Sequence, residues 1–470
     1  MTKKFYITAA IPYVNAAPHI GHALEFIQVD VIARYHRLLG EKVTALTGGD
    51  ENALKNVQAA EKAGFPVQEF VDKNAQLFLE LLKKLNTEFN VFQKGTSANH
   101  FKSSQELWNL CFKKGDIYKK NYEGLYCVGC ETFYAPDELN EKGECFEHPG
   151  KKLELVSENN YFFKLSSYQS QLIQLIKSDQ LKISPEFRKN EILSFLKEPL
   201  HDISISRSNE RAKNWGVPVP NDPTQRMYVW FDALNIYRSG VDEKTWPADL
   251  HVIGKGIIRF HAVYWPAFLL SAGLPLPKAI MAHGYLTVDG QKMSKTVGNI
   301  IDPLEIIDKY GVDALRYYLL REIPPFDDGD FSYRRLDEVY SSDLANELGN
   351  LVMRITTLAE KDGLTINNPS TSLRTSEQWN NETIKQFDNF QFNLILENIW
   401  KRIKTLNKST DDFAPWKKTA EERKEFLTKS LKEINQVGYE LQPFMPATAE
   451  KILKATQGKI TKILPLFPRI

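Results

Sequence analysis

The chain of 470 residues is 42% hydrophobic and 25% charged, with a formal net charge of +1. That length and composition allow two to four domains with sizeable cores and exclude a disordered chain. No apolar run reaches membrane-spanning length, and Met1-Thr2-Lys3-Lys4 leads into the first strand without a small-residue cleavage site, so a cytoplasmic protein with no membrane attachment is expected. Balanced charge neither supports nor excludes a nucleic acid partner, which local patches would have to meet.

The first apolar segment, Phe5 to Ile11, reads as a buried parallel strand and is followed by a Pro-rich turn. Pro18-His19-Ile20-Gly21-His22 then opens a helix marked by Leu24, Ile27, Val31 and Leu38 and stopped by Gly40. His19 and His22 thus sit at a helix N-terminus, either as a surface capping pair or as donors that join the helix dipole in holding an anion. Lys42 to Leu46 reads as a second strand ending in Thr47-Gly48-Gly49-Asp50-Glu51, a turn facing a ligand crevice. Asp50 there either holds a cationic group, such as an ammonium, or caps the helix beginning near Ala53. A long amphipathic helix from Val67 to Leu85 and a short strand from Phe89 to Phe92 continue the alternation, which implies a doubly wound parallel sheet.

Near Asp116 the pattern changes. Cys127, Cys130, Cys145 and His148 form two ligand pairs, each spaced by two residues and separated by a hairpin-sized gap; three thiolates and an imidazole at that spacing fit one structural zinc ion. Cys111, alone in an apolar helical pattern, reads as a small core residue. Residues 159–200 read as helical, with Tyr161-Phe162-Phe163 at the start. Tyr228 to Ala233 reads as an apolar strand entering a helix, on which Trp230, Ala233 and Tyr237 share one face; they either line a pocket for an unbranched apolar side chain or are plain core. His251 to Gly256 and Ala279 to Tyr285 resume the sheet, and Asp289-Gly290 turns into Gln291 to Thr296. Lys292 and Lys295 on that loop are a movable positive clamp or a solvated surface pair. Beyond Tyr340 come helices only: one from Leu344 to Leu358, a longer one from Ile384 to Leu406 and a third from Phe426 to Leu441, with residues 367–381 as a polar connection.

With Pro18-His19-Ile20-Gly21-His22 near the front and Lys292-Met293-Ser294-Lys295-Thr296 behind the resumed sheet, the chain resembles the class I aminoacyl-tRNA synthetases. Ala10 to Asn15, Tyr126 to Glu131, Tyr228 to Ala233, His283-Gly284-Tyr285 and Leu464 to Arg469 narrow the resemblance to the methionyl-tRNA synthetases, over essentially the whole chain. The resemblance implies an α/β protein: a Rossmann-like doubly wound parallel sheet interrupted by a zinc-bearing insertion and followed by an all-α anticodon-binding bundle. Residues 1–115 and 226–290 would be the two halves of the catalytic domain, 116–225 the insertion with its zinc knuckle, 291–340 the lysine-loop and stem-contact region, and 341–470 the bundle. The C-terminal tRNA-binding domain of some members is not expected, which favours a monomer.

The activity implied is methionine–tRNA ligation: ATP-dependent formation of methionyl-adenylate with release of pyrophosphate, then transfer to initiator and elongator tRNA(Met). By the same resemblance His19, His22, Lys292 and Lys295 are catalytic, stabilising charge on the phosphoryl group and the departing pyrophosphate. ATP, with Mg²⁺, would lie against His19, Gly21, His22, Gly254, Lys292 and Lys295. Methionine would be bound by Ile11, Tyr13, Trp230, Ala233, Tyr237 and His283, with Asp50 on its ammonium. Asn350, Arg354 and Trp416 would read the anticodon, Trp416 by stacking on an unpaired base.

Three positions depart from the family pattern. Asn52-Ala53 stands where His-Gly is common, Gly256 where Asp is common, and Thr296 where Ser is usual. A non-catalytic tRNA-binding paralogue and another class I synthetase are the alternatives. Retention of both histidines and both lysines argues against the first, and the lack of chain for a large editing insertion argues against the isoleucine, valine and leucine enzymes.

Overall fold

Strand β1 (Lys4–Thr8) and strand β2 (Lys42–Gly49) lie within a six-stranded parallel sheet of the computed structural model, which describes residues 2–127, 132–134, 139–145, 150, 152–293, 298–366 and 379–469. The spatial order is Val91–Lys94, β2, β1, Leu250–Gly254, Ala279–His283 and Lys182–Ser184. Successive side chains of a strand point to opposite faces, so the strands feed two cores. Ile7, Ala45, Val252 and Met281 enter the core shared with helix α1 (Ile20–Leu38). Tyr6, Leu46, Ile253 and Ile280 enter the other, with the helices Ala98–Lys114 and Trp265–Ala272. Strand order reverses between β1 and Leu250–Gly254, and in open α/β sheets ligands bind beyond the carboxyl ends of the strands at that point.

The stretch expected to be helical from Tyr161 begins instead in a strand, Glu154–Phe163, paired antiparallel with Ile117–Cys127 from Ile117↔Phe163 to Tyr126↔Glu154. Alternation decides the matter: Phe163 and Tyr161 pack on the central domain, while Phe162 packs against Tyr118 and Tyr122 on the opposite face. This strand pair belongs to a four-stranded sheet with Thr132–Tyr134 and Ile203–Ser204. The same segment of chain then returns to the central sheet, because Lys182–Ser184 pairs parallel with Ala279–His283 at its edge. Tyr228 to Ala233 is not a strand either. Val229–Ala233 is a short helix and Ile236–Ser239 a second one, so Trp230, Ala233 and Tyr237 do not share one continuous helix face.

Downstream, the expected turn is a hairpin. Asp289 and Gly290 both have positive φ, as a tight two-residue turn requires, and join Leu286–Val288 to Gln291–Lys292. Among the described residues after Tyr340 the regular structure is helical apart from one two-stranded sheet, and residues 460–469 form an irregular tail. The long second helix anticipated there is divided in two, Asn381–Asp388 and Phe392–Phe413, and a further helix, Pro446–Ala455, follows Ala420–Leu441. Most of the polar connection, 367–378, lies outside the described residues.

Helix α1 runs through the centre of this arrangement. Near its C-terminal end Tyr35 stacks on Phe387 of the bundle, with ring centroids 3.8 Å apart and 7° between planes. At its middle, Asp30 and Arg316 form a fully buried ion pair at 2.7 Å. Arg316 also donates to the carbonyls of Phe444 at 2.7 Å, Pro443 at 2.8 Å and Leu85 at 3.2 Å. Asp30 also accepts from Arg34 and from the Glu88 amide, each at 2.8 Å. Breaking one half of such a pair leaves a charge with too few partners out of water, so Arg316→Met should cost about 3–5 kcal/mol. A lower denaturant midpoint than wild type, followed by fluorescence, is the expected result.

Candidate active site

The first turn of α1 is closed by two imidazoles in a reciprocal capping box. His19, the N-cap, accepts at Nδ1 from the Gly21 amide, and His22 accepts at Nδ1 from the His19 amide, both at 3.1 Å. Two of the helix's orphan amides are thereby satisfied. An Nδ1 that accepts leaves the ring proton on Nε2, so each ring keeps one N–H donor pointing away from its cap. Burial lowers the His19 pKa to about 4. Burial lowers His22 as well, and the adjacent His19 adds to it. Both are therefore neutral donors at pH 7. The rings lie 4.1 Å apart, and His22 sets its edge against Phe78. Gly21 is required here because a Cβ would come within 2.9 Å of His19 Cε1. Of the two alternatives in the sequence the structure shows the capping pair, and the caps leave an Nε2–H donor on each ring.

Across the switch point the apolar residues that the resemblance assigns to methionine come together from several segments. Tyr13 and Trp230 pack against Ala233, and Ile11, Trp230 and Tyr237 share a second cluster with Phe260 and Ile257. Trp230 stacks flat on Phe260, with centroids 3.7 Å apart. The Tyr237 hydroxyl lies 2.8 Å from His261 Nε2, whose Nδ1 donates to the Ile257 carbonyl at 2.9 Å. This again sets the tautomer: Tyr237 donates and His261 Nε2 accepts. Burial lowers the His261 pKa to about 4. Asp50 is buried at the end of β2, where its amide donates to Pro12 at 2.9 Å and its carbonyl accepts from Asn56 at 2.7 Å. It forms a bridge with Tyr13. It does not cap the following helix, Leu54–Ala63, whose N-cap is Ala53.

Comparison with known proteins agrees with this geometry. The family model described as tRNA synthetases class I (M) matches residues 5–356. A methionine–tRNA ligase of Thermotoga maritima is 42% identical, the alignment covering 96% of this chain and 75% of that protein. The chain belongs to the class I methionyl-tRNA synthetase family. A Brucella suis methionine–tRNA ligase is 40% identical over 96% of this chain and 91% of its own length. The crystal structure of Mycobacterium tuberculosis methionyl-tRNA synthetase with methionyl-adenylate matches at a TM-score of 0.92, 38% identity and full coverage of both chains. The free-state structure of that mycobacterial enzyme matches at 0.83, so the arrangement here lies nearer the adenylate-bound one.

The other residues that the family resemblance singles out have the following surroundings. His283, at the end of its strand, donates from Nδ1 to the Gly284 carbonyl at 2.7 Å and meets Glu25 through Nε2 at 2.9 Å. Glu25, one helical turn beyond His22, also accepts from the Ala10 amide at 2.8 Å. Gly254 is in register with His283. Described residues on either side of the lysine loop reach the start of α1. The Met293 methyl lies 3.5 Å from where a Gly21 Cβ would be, and the Ile20 amide donates to the Ile301 carbonyl at 3.1 Å. Lys292 ends the hairpin strand, and its side chain, like all of Lys295, lies outside the described residues. Cys127 and Cys145 are buried, with sulfurs 3.2 Å apart; Cys130 and His148 lie outside the described residues. In the bundle Arg354 lies over the exposed Trp416 ring, 5.0 Å from its centroid, and Asn350 precedes it by one turn of the same helix.

Glu25, His261 and Phe260 were not legible as site residues. A buried Glu inside an amphipathic helix and a His in the motif Arg259-Phe260-His261 carry no spacing signal, and only the fold brings them to the crevice. Without ligand, the lowered histidine pKa values have a definite sign. As pH falls from 6.5 towards 4 the unfolded chain binds protons that His19 and His22 refuse, so stability is lost over that window. His19→Asn, which keeps a capping acceptor, should lose less Tm than wild type between pH 7 and pH 5 in thermal melts of the unliganded protein.

Proposed function

We propose that the chain is a methionine–tRNA ligase that makes methionyl-adenylate from methionine and ATP, releases pyrophosphate and transfers the methionyl group to tRNA(Met). The observation that supports the reading is the pair of neutral imidazoles with Nε2–H donors at the N-terminus of α1, beside the sheet's switch point, together with the cluster of Ile11, Trp230 and Tyr237. The substrate carboxylate attacks the α-phosphorus while its ammonium is held by Asp50. Negative charge then grows on the phosphate oxygens and passes to pyrophosphate. His19 and His22 donate to those oxygens without reorganisation, since their caps already fix ring and tautomer. Lys292 and Lys295 close on the triphosphate end, chiefly Lys295. Mg²⁺, when bound with ATP, supplies further positive charge on the phosphates. No side chain acts as nucleophile, because a carboxylate is one already and the enzyme's contribution is position.

Ile11, Tyr13, Trp230, Ala233 and Tyr237 enclose the thioether, and the Tyr237–His261 hydrogen bond adds a fixed polar pair to an otherwise apolar wall. His283 acts through Glu25, orienting the segment at Ala10. Asn350, Arg354 and Trp416 take the anticodon, the Trp416 ring offering an exposed stacking face already paired with a guanidinium. Cys127, Cys130, Cys145 and His148 hold one structural zinc ion. The two described thiols fit that role, since their 3.2 Å separation is within an ångström of the ~3.8 Å edge of a tetrahedron with Zn–S near 2.3 Å. The protein works in the cytoplasm, alongside translation.

Methionine-dependent ATP–pyrophosphate exchange tests the reading. Exchange is expected with methionine and not with leucine, isoleucine, valine or cysteine; exchange with none of them would favour a non-catalytic tRNA-binding paralogue. Lys295→Ala should slow adenylate formation by about 10²–10³-fold, as loss of one charge-stabilising donor does. Metal analysis of protein purified without chelator should find about one zinc per chain.

A further inference from the structure

Behind the pocket lies a buried polar network that the proposed chemistry does not use. Asp232, on the short helix that carries Trp230 and Ala233, is 1% exposed. Its carboxylate meets three side-chain donors. Oδ2 accepts from Asn52 Nδ2 at 2.6 Å, and Oδ1 accepts from His100 Nε2 at 2.6 Å and from the Ser104 hydroxyl at 3.1 Å. His100, fully buried on the helix Ala98–Lys114, places its other nitrogen 2.7 Å from the Ser239 hydroxyl. A ring protonated at Nε2 alone satisfies both contacts, with Ser239 donating to Nδ1. The second Asn52 amide hydrogen goes to the Gly95 carbonyl at 2.8 Å.

These contacts add a polar clamp to three elements that also pack on one another, the turn after β2, the helix Ala98–Lys114 and the short helix Val229–Ala233, through Ala53 on Val229 and Ala233 and Trp108 on Phe231. Asn52 follows Asp50 by two residues, so it belongs to the turn that holds the substrate ammonium in the reading above. Asp232 lies two residues after Trp230 and one before Ala233, which bound the side-chain pocket. We propose that Asp232, clamped by Asn52 and His100, is a positioning centre that sets the distance between the ammonium-binding and side-chain-binding halves of the methionine site. It thereby selects for the length of the amino acid. The proposal rests on the methionine-ligase reading. It also accounts for the departure at position 52: what Asp232 needs there is a nitrogen donor, which Asn supplies as His would. A carboxylate with three polar donors in the interior tolerates no lost partner, since the alternative is an unsatisfied buried charge. Asn52→Asp is the sharpest perturbation, because it sets an acceptor against an acceptor.

The test uses ATP–pyrophosphate exchange on the full chain, with circular dichroism and thermal melts confirming the fold of each variant. For Asn52→Asp, KM for methionine should rise roughly tenfold or more while KM for ATP stays within about twofold, as displacement of one half of a site requires. Asn52→His, which restores a nitrogen donor, should recover most of that loss. Discrimination against norvaline, one heavy atom shorter than methionine along the side chain, should fall in Asn52→Asp. If Asn52→Asp does not fold, Ser104→Ala removes the longest of the three contacts and should raise the methionine KM by a few-fold on its own. Equal changes in both KM values, or an unmoved methionine KM in a folded variant, would overturn the proposal. Failure of the wild type to exchange with methionine would overturn the function reading instead, so the two failures are separable.

Discussion

An α-helix must find partners for the amides of its first turn, and in this protein that requirement and the proposed chemistry fall on the same residues. At the start of α1 the partners are His19 and His22, each accepting through Nδ1. The caps thereby decide three things at once: where the rings stand, which nitrogen carries the proton, and that burial keeps both uncharged at neutral pH. In the proposed reaction such a pair of neutral donors stabilises growing negative charge without holding a fixed charge of its own out of water. Gly21 completes the device, since any side chain there would strike the His19 ring.

The same helix carries the consequence away from the site. Beyond the histidines come Glu25, tied to the Ala10 amide and to His283, then Asp30, buried against Arg316, then Tyr35, stacked on Phe387. One continuous core runs from the central sheet through α1 into the C-terminal helices, including Ile7, Phe26, Leu315, Leu396 and Phe444. Rotation or translation of α1 would therefore move the paired histidines, the His283 strand and the bundle contacts together. The Arg316 guanidinium, spending its donors on Asp30 and on three carbonyls, holds the chain after Leu441 against the middle of that helix.

The two departures that bear on the crevice have different physical standing. At position 52 the chain retains a nitrogen donor, and Asn52 finds both Gly95 and Asp232. At position 256 a carboxylate is missing, and the acid beside that turn, Asp328, is already engaged by Lys255 at 2.7 Å and by the Tyr285 amide at 2.8 Å. The first substitution is conservative in hydrogen-bond terms although not in shape. The second leaves the turn Lys255–Ile257 without an acid of its own.

Local sequence determined a good deal here. Strand β1, helix α1, the Asp289-Gly290 hairpin and the parallel sheet follow from period, caps and turn chemistry, which are properties of neighbouring residues. The histidine pair, Asp50 and the residues Ile11, Tyr13, Trp230, Ala233 and Tyr237 stand out in the sequence only because motifs of the family carry them, and the fold brings Ile11, Trp230 and Tyr237 into one cluster. What tertiary structure alone decided are matters of partnership between distant segments. Tyr161 to Phe163 became a strand because residues 117–127 offered it a ladder, against an apolar pattern that suits either state. Lys182–Ser184 joined the central sheet because Ala279–His283 left an open parallel edge. Glu25, His100, Asp232 and His261 are buried polar groups whose meaning lies wholly in the partner each one finds. A buried polar group must find such a partner, but nothing in its own stretch of chain says which one, and only the packed fold supplies the answer.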